Sequence, residues 1–103
     1  MRQFDVYPNP STRSRAKAPY VVVVQSHLLV AAPTVLVAPL LLNDGRSGYT
    51  EISALIDFQG ASYIAQIGEL GAVDPALLRK PAGNLREYED GIRRAIDRLL
   101  TGF

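Results

Sequence analysis

Apolar and polar positions change period along this chain, and each change marks an element. Phe4, Val6 and Pro8 alternate with Gln3, Asp5 and Tyr7, the period of two expected of a half-buried first strand that ends by Pro8. From 8 to 19 the pattern lapses into prolines, serines and a threonine around Arg13, Arg15 and Lys17, which predicts a mobile, locally basic loop. Tyr20 to Gln25 is a continuous β-branched run, as in a central strand covered on both faces. Leu28 to Ala32 and Val35 to Leu42 continue in strand-sized pieces, with Pro33 and Pro39 confining them to bulges, strand starts or edges.

Asn43-Asp44-Gly45 and Arg46-Ser47-Gly48 are turn chemistry, and Tyr49 to Phe58 then places Ile52, Ala54, Ile56 and Phe58 on one strand face. Gln59-Gly60 predicts a hairpin turn into Ser62 to Ile67, where Tyr63, Ala65 and Ile67 alternate. Between 68 and 83, Asp74-Pro75 reads as a cap with proline at the first helical position. Pro81 follows soon after, so that stretch holds one helical turn or a short strand.

The last element is an amphipathic helix. Asn84 with Glu87 forms a capping-box pattern, and Leu85, Tyr88, Ile92, Ala95, Ile96, Leu99 and Phe103 step by three and four along one stripe. The opposite side carries Arg86, Glu89, Asp90, Arg93, Arg94, Asp97 and Arg98, with Glu89 to Arg93 and Asp90 to Arg94 at the favourable i,i+4 spacing. Gly91 weakens the helix by about 1 kcal/mol relative to alanine. Strands followed by one terminal helix predict a single α+β domain over 1–103, the helix laid on an antiparallel β-sheet.

Composition narrows the chemistry. Eleven basic against ten acidic residues leave a formal charge of +1, which excludes nucleic-acid binding by bulk electrostatics. The absence of cysteine and the single histidine exclude disulfides, thiolate zinc sites and cysteine nucleophiles, and remove the commoner histidine metal sites. Ser26 and His27 are sequence neighbours whose side chains leave an extended segment on opposite faces, so they cannot act as a dyad. Asp57 and Glu69 each adjoin a turn, and nothing places them on one cleft wall. Nucleotide-binding glycine and lysine motifs and metalloprotease helix motifs are absent. The residues therefore predict a binding protein with no cofactor and no metal, not an enzyme.

The uncharged stretch Ala18 to Leu42 is broken by Gln25, Ser26, His27, Pro33, Thr34 and Pro39, too often for a span of about 20 apolar residues. Met1 to Tyr7 alternates and no apolar signal segment follows it, so a cytoplasmic protein is expected. One thin sheet and one helix leave much of the Val- and Leu-rich 20–42 segment to cover, which predicts a homodimer.

A family resemblance emerges from the order and spacing of several short pieces. Gln3-Phe4-Asp5-Val6-Tyr7, the strand ending Val24-Gln25-Ser26 with Leu28-Leu29 after it, the Ala38-Pro39-Leu40 step, and a closing helix with Ile92, Ala95-Ile96 and Gly102 resemble the CcdB family of plasmid and chromosomal toxins. The resemblance implies a small SH3-like barrel with a C-terminal helix, a homodimer, and a role in a toxin-antitoxin pair. It implies poisoning of DNA gyrase by wedging between the arms of the A subunit, and neutralisation by a CcdA-like antitoxin. Carried over position by position, the gyrase contacts fall on Asp97, Leu100, Thr101, Gly102 and Phe103, with Leu28 and Leu29. The family's usual Trp-Gly-Ile ending reads here Thr101-Gly102-Phe103, so the glycine alone is retained.

Arg13, Arg15 and Lys17 form the cationic surface on which an acidic, disordered antitoxin tail would dock. Two alternatives stand beside the gyrase toxin. One is a diverged member that dimerises and binds antitoxin without poisoning gyrase. The other is an endoribonuclease toxin of the MazF and Kid type, with Arg13, Arg15 or Lys17 and Asp57 as its cation and acid.

Overall fold

The computed structural model, which describes residues 1–26, 32–45, 50 and 52–102, has seven strands among them, the first five where β-branched and alternating runs predict strands. They are β1 (Asp5–Pro8), β2 (Tyr20–Val23), β3 (Val35–Leu42), β4 (Ser53–Phe58), β5 (Ala61–Gln66), β6 (Gly71–Val73) and β7 (Gly83–Asn84), followed by the helix α1 (Glu89–Thr101). Among the described residues these seven strands form one antiparallel sheet in the order β4-β5-β3-β2-β1-β7, with β6 also paired to β3. Long β3 makes this branching possible: residues 35–37 pair with β6 and 40–42 with β5.

The sheet curls into a half-barrel, so that the two ends of the strand order meet. Gln59, in the β4–β5 turn, donates from Nε2 to the Ala82 carbonyl at 3.0 Å. A Cβ on Gly83 of β7 would lie 2.7 Å from Phe58 Cε1 of β4. Only glycine lets the phenyl ring in that close. Inside the curl lies the main core of Phe4, Val6, Val22, Leu40, Ile56, Ile67 and Leu85, closed by Ile92 and Ala95 of α1. Tyr20, Phe58 and Tyr63 meet edge to face at the seam, with ring centroids 5.3–6.4 Å apart. This is an α+β fold, as the pattern predicts.

The first strand differs from its expected pattern. Phe4 lies outside it, with a positive φ of 70°, held by its N–H to the Val23 carbonyl at 2.6 Å and its carbonyl to the Leu85 N–H at 2.8 Å. Tyr7 is buried and Pro8 exposed, the reverse of a strand with one wet face. A second apolar cluster on the other face of the sheet explains this: Tyr7 packs there with Val21, Val23, Val35, Val37 and Leu78. Central β2 is covered on both faces accordingly. Its run ends at Val23 as a strand, though Val24 N–H still reaches the Leu36 carbonyl at 3.0 Å.

Of the predicted segment Leu28 to Ala32, residues 28–31 lie outside the described residues, and Ala32 is in no strand. Within the next predicted strand, Tyr49 to Phe58, the structure shows β4 over Ser53–Phe58, and the hydroxyl of Ser53 accepts from Thr50 N–H and donates to the Thr50 carbonyl, closing a turn just before it. The ambiguous 68–83 stretch contains both expected features. β6 pairs with β3, and Asp74 Oδ1 caps a 3-10 turn (Pro75–Leu77) by accepting from Ala76 N–H at 2.9 Å.

Asn84 does not cap α1. It ends β7, and its Oδ1 accepts from Arg86 N–H at 2.8 Å to start a 3-10 turn (Arg86–Tyr88) that runs into the helix at Glu89. Its amide nitrogen is tied instead to the Gln3 carbonyl and Asp5, so the side chain serves sheet closure first. The expected Glu89–Arg93 pair forms at 3.1 Å on the exposed face, while Asp90 and Arg94 make no ion pair among the described residues.

Candidate functional site

Three surfaces carry the exposed chemistry. The first is the β1–β2 loop, whose shape comes from the buried side chain of Asn9. Its amide nitrogen donates to the Ala18 carbonyl at 2.8 Å and to Ser14 Oγ at 3.0 Å, and its Oδ1 accepts from Ser11 N–H at 2.9 Å. The peptide of Asn9 adds an N–H bond to the Pro19 carbonyl and accepts from Arg15 Nε at 3.0 Å. The loop is also tied to β3, where Leu42 N–H donates to the Lys17 carbonyl, so a segment expected to be mobile is instead held by the bonds around Asn9. Arg13, Arg15 and Lys17 are all exposed on it. Arg15 is partly used in holding the loop, which leaves Arg13 and Lys17 as its outward cations.

The second surface is the end of α1. Gly102 adopts a left-handed φ of 80° and its N–H closes the helix on the Arg98 carbonyl at 2.9 Å, the αL stop that favours glycine. Thr101 Oγ1 donates back to the Asp97 carbonyl at 2.6 Å. Asp97, Leu100, Thr101 and Gly102 are exposed together on this turn, Leu100 by 74%. The apolar stripe holds for Leu85, Ile92 and Ala95 but has surfaced by Leu99, since the helix there runs past the sheet. Phe103, Leu28 and Leu29 lie outside the described residues, so the structure assembles four of the seven positions assigned to one contact surface.

The third surface was not anticipated from the sequence. A groove of about 410 Å³ runs between β4 and α1, lined by Ser53, Leu55, Glu87, Asp90, Gly91 and Arg94, among others. Tyr88, expected to be a plain core residue of the stripe, clips its rim: the phenol accepts from Asp57 N–H at 3.0 Å and donates to the Asp57 carbonyl at 3.3 Å. The sequence signal for this was the hydroxyl itself, since a tyrosine at the margin of an apolar stripe needs a polar partner.

Asp57 and Glu69 are both exposed. No hydrogen bond or ion pair among the described residues joins Asp57 to Arg13, Arg15 or Lys17. Nor do the described residues bring three His, Asp or Glu side chains together as a metal ion would need. None of the described helices is long and apolar enough to cross a membrane.

Comparison with known proteins places the chain among relatives. The family model of the CcdB protein matches residues 3–102. No match is found among curated proteins. Among solved structures, the Mycobacterium tuberculosis toxin MazF-mt6 is similar with a TM-score of 0.71 at 14% identity, over 96% of each chain. A crystal structure of an Mtb toxin is similar with a TM-score of 0.67 at 14% identity, over 78% of this chain and 90% of that one. At that identity the two structures establish the shared fold and nothing finer.

Proposed function

This chain belongs to the CcdB family, and from that premise we propose that it is the toxin of a toxin-antitoxin pair, acting in the cytoplasm as a homodimer on the A subunit of DNA gyrase. The observation that supports this most is the match over residues 3–102 coinciding with an exposed helix end built from Asp97, Leu100, Thr101 and Gly102. The action is binding, not catalysis. Leu100 offers the apolar contact, Gly102 stops the helix so that the turn projects, and a dimer presents two such ends for wedging. Arg13 and Lys17 on their ordered loop receive an acidic antitoxin tail, which removes the toxin from its target.

Titration against the gyrase A subunit tests the proposal. The natural protein should bind weakly, because Thr101 supplies no ring, and Thr101→Trp should bind about tenfold tighter or more, as an aromatic anchor at an interface contributes over 1.4 kcal/mol. The exposed position lets the helix tolerate the larger side chain. Absence of binding by both variants would remove gyrase as the target. The likeness in fold to MazF-mt6 favours one second reading, an endoribonuclease toxin. Cleavage of RNA by the purified protein, lost on Asp57→Ala, would establish that reading instead.

A further inference from the structure

The groove between β4 and α1 contains an unused piece of strand edge. The turn residues Gln59 and Gly60 both have positive φ, a type I′ hairpin in which the flanking pair Phe58 and Ala61 exchange hydrogen bonds. Hydrogen bonding then alternates back along β4, so Ile56 and Ala54 face β5 while Asp57, Leu55 and Ser53 direct their N–H and C=O groups away from it. Two of those three are occupied. Asp57 is clipped by Tyr88, and Ser53 N–H donates to the Thr50 carbonyl at 3.2 Å. Leu55 lies between them with no such partner among the described residues, its side chain 52% exposed at the groove.

Charge along the groove is ordered. Tyr88 meets Asp57 and Gly91 meets Ala54, so α1 runs antiparallel to β4. Glu87, next to Tyr88, therefore stands toward the end of β4, and Arg94 and Arg98, beyond Gly91, toward its start. Arg94 is in no ion pair among the described residues. We infer that this groove takes an extended segment of a partner protein, paired antiparallel to Leu55, with a basic side chain near its beginning and a carboxylate near its end. Antiparallel pairing follows because one residue of the segment can then satisfy both backbone groups of Leu55. The charge order follows because such a segment enters beside Glu87 and leaves beside Arg94. The inference does not depend on the toxin reading.

A fluorescent eight-residue peptide tests it, with valine at odd positions, lysine second, threonine fourth, and glutamate sixth and eighth. Anisotropy should show binding to the whole protein, weakened about fivefold or more when lysine and glutamates exchange ends, and similarly by Arg94→Glu. Leu55→Pro removes the edge donor without touching the β5 ladder, which proline tolerates at an edge, and should weaken binding about tenfold. Amide exchange needs no variant: Leu55 should exchange rapidly alone and at least about tenfold more slowly with peptide bound. Unchanged Leu55 exchange at saturating peptide would overturn the inference, as would equal affinity for both charge orders. Self-association that Leu55→Pro abolishes would name a second copy as the occupant and overturn it too.

Discussion

Removing the Asn9 amide would leave the buried Ala18 carbonyl and the partly buried Ser11 N–H without their side-chain partner, and neither has a strand or helix to satisfy it. Asn9→Ala should therefore cost about 1–3 kcal/mol, seen as a lower urea midpoint with an unchanged slope. The same variant should weaken capture of an acidic peptide by Arg13 and Lys17, which lose their fixed placement. Two tyrosines set an alkaline limit on stability. Burial, with a smaller contribution from Asp5, raises the Tyr7 phenol above its ordinary value, and burial with Tyr20 nearby does the same for Tyr63. Below pH ~10 both states hold these protons and the shift has no effect. Above it the unfolded chain loses protons first, so stability falls as pH rises toward the folded values. Denaturation between pH 8 and 11 should show that decline, and Tyr63→Phe should flatten it. Asn9 was readable from sequence only as a loop residue; its burial depends on Ala18 and Pro19 folding back over it.

Among elements, α1 and the β4–β5 hairpin were the most legible, because a stripe at helical spacing and a two-residue turn are written in consecutive residues. Where α1 begins was not, since the Asn84 side chain answers first to Gln3 and Asp5 at the other end of the chain. Glycines show how context reverses a local preference. At Gly91 an added Cβ would lie 3.9 Å from the Ala54 Cβ, an ordinary contact, so Gly91→Ala should stabilise by about 0.5–1 kcal/mol through helix propensity. At Gly83 the same methyl would meet the Phe58 ring, so Gly83→Ala should destabilise by about 1–3 kcal/mol as the ring is pushed off its packing. Melting temperatures should move in opposite directions, by about 4–8 °C for each kcal/mol.

At the scale of the whole molecule, the sequence pattern predicted an antiparallel sheet with a terminal helix but not the strand order. That order depends on pairs such as Val6 with Gly83 and Val35 with Val73, which no local period encodes. It also hid the second apolar cluster, so Tyr7 was expected on a wet face. The proposed role of the helix end comes only through resemblance, because exposed residues carry no packing pattern. Reversing the charge of Arg13 and Lys17 should weaken an acidic antitoxin tail while leaving the melting temperature within a few degrees, as exposed charges affect stability little, whereas reversing Arg15 as well also removes its hydrogen bond to the Asn9 carbonyl and should lower the melting temperature further. Pairing of β1 with β7, in which Asp5 is joined to Asn84 across 79 positions, also dictates the order of assembly. The β4–β5 hairpin closes a loop of two residues and loses little chain entropy, whereas the β1–β7 seam must gather nearly the whole chain before it is rewarded. Substitutions in the hairpin should therefore slow refolding, and those between β1 and β7 should chiefly speed unfolding, so β1 and β7 come apart first when the protein is lost.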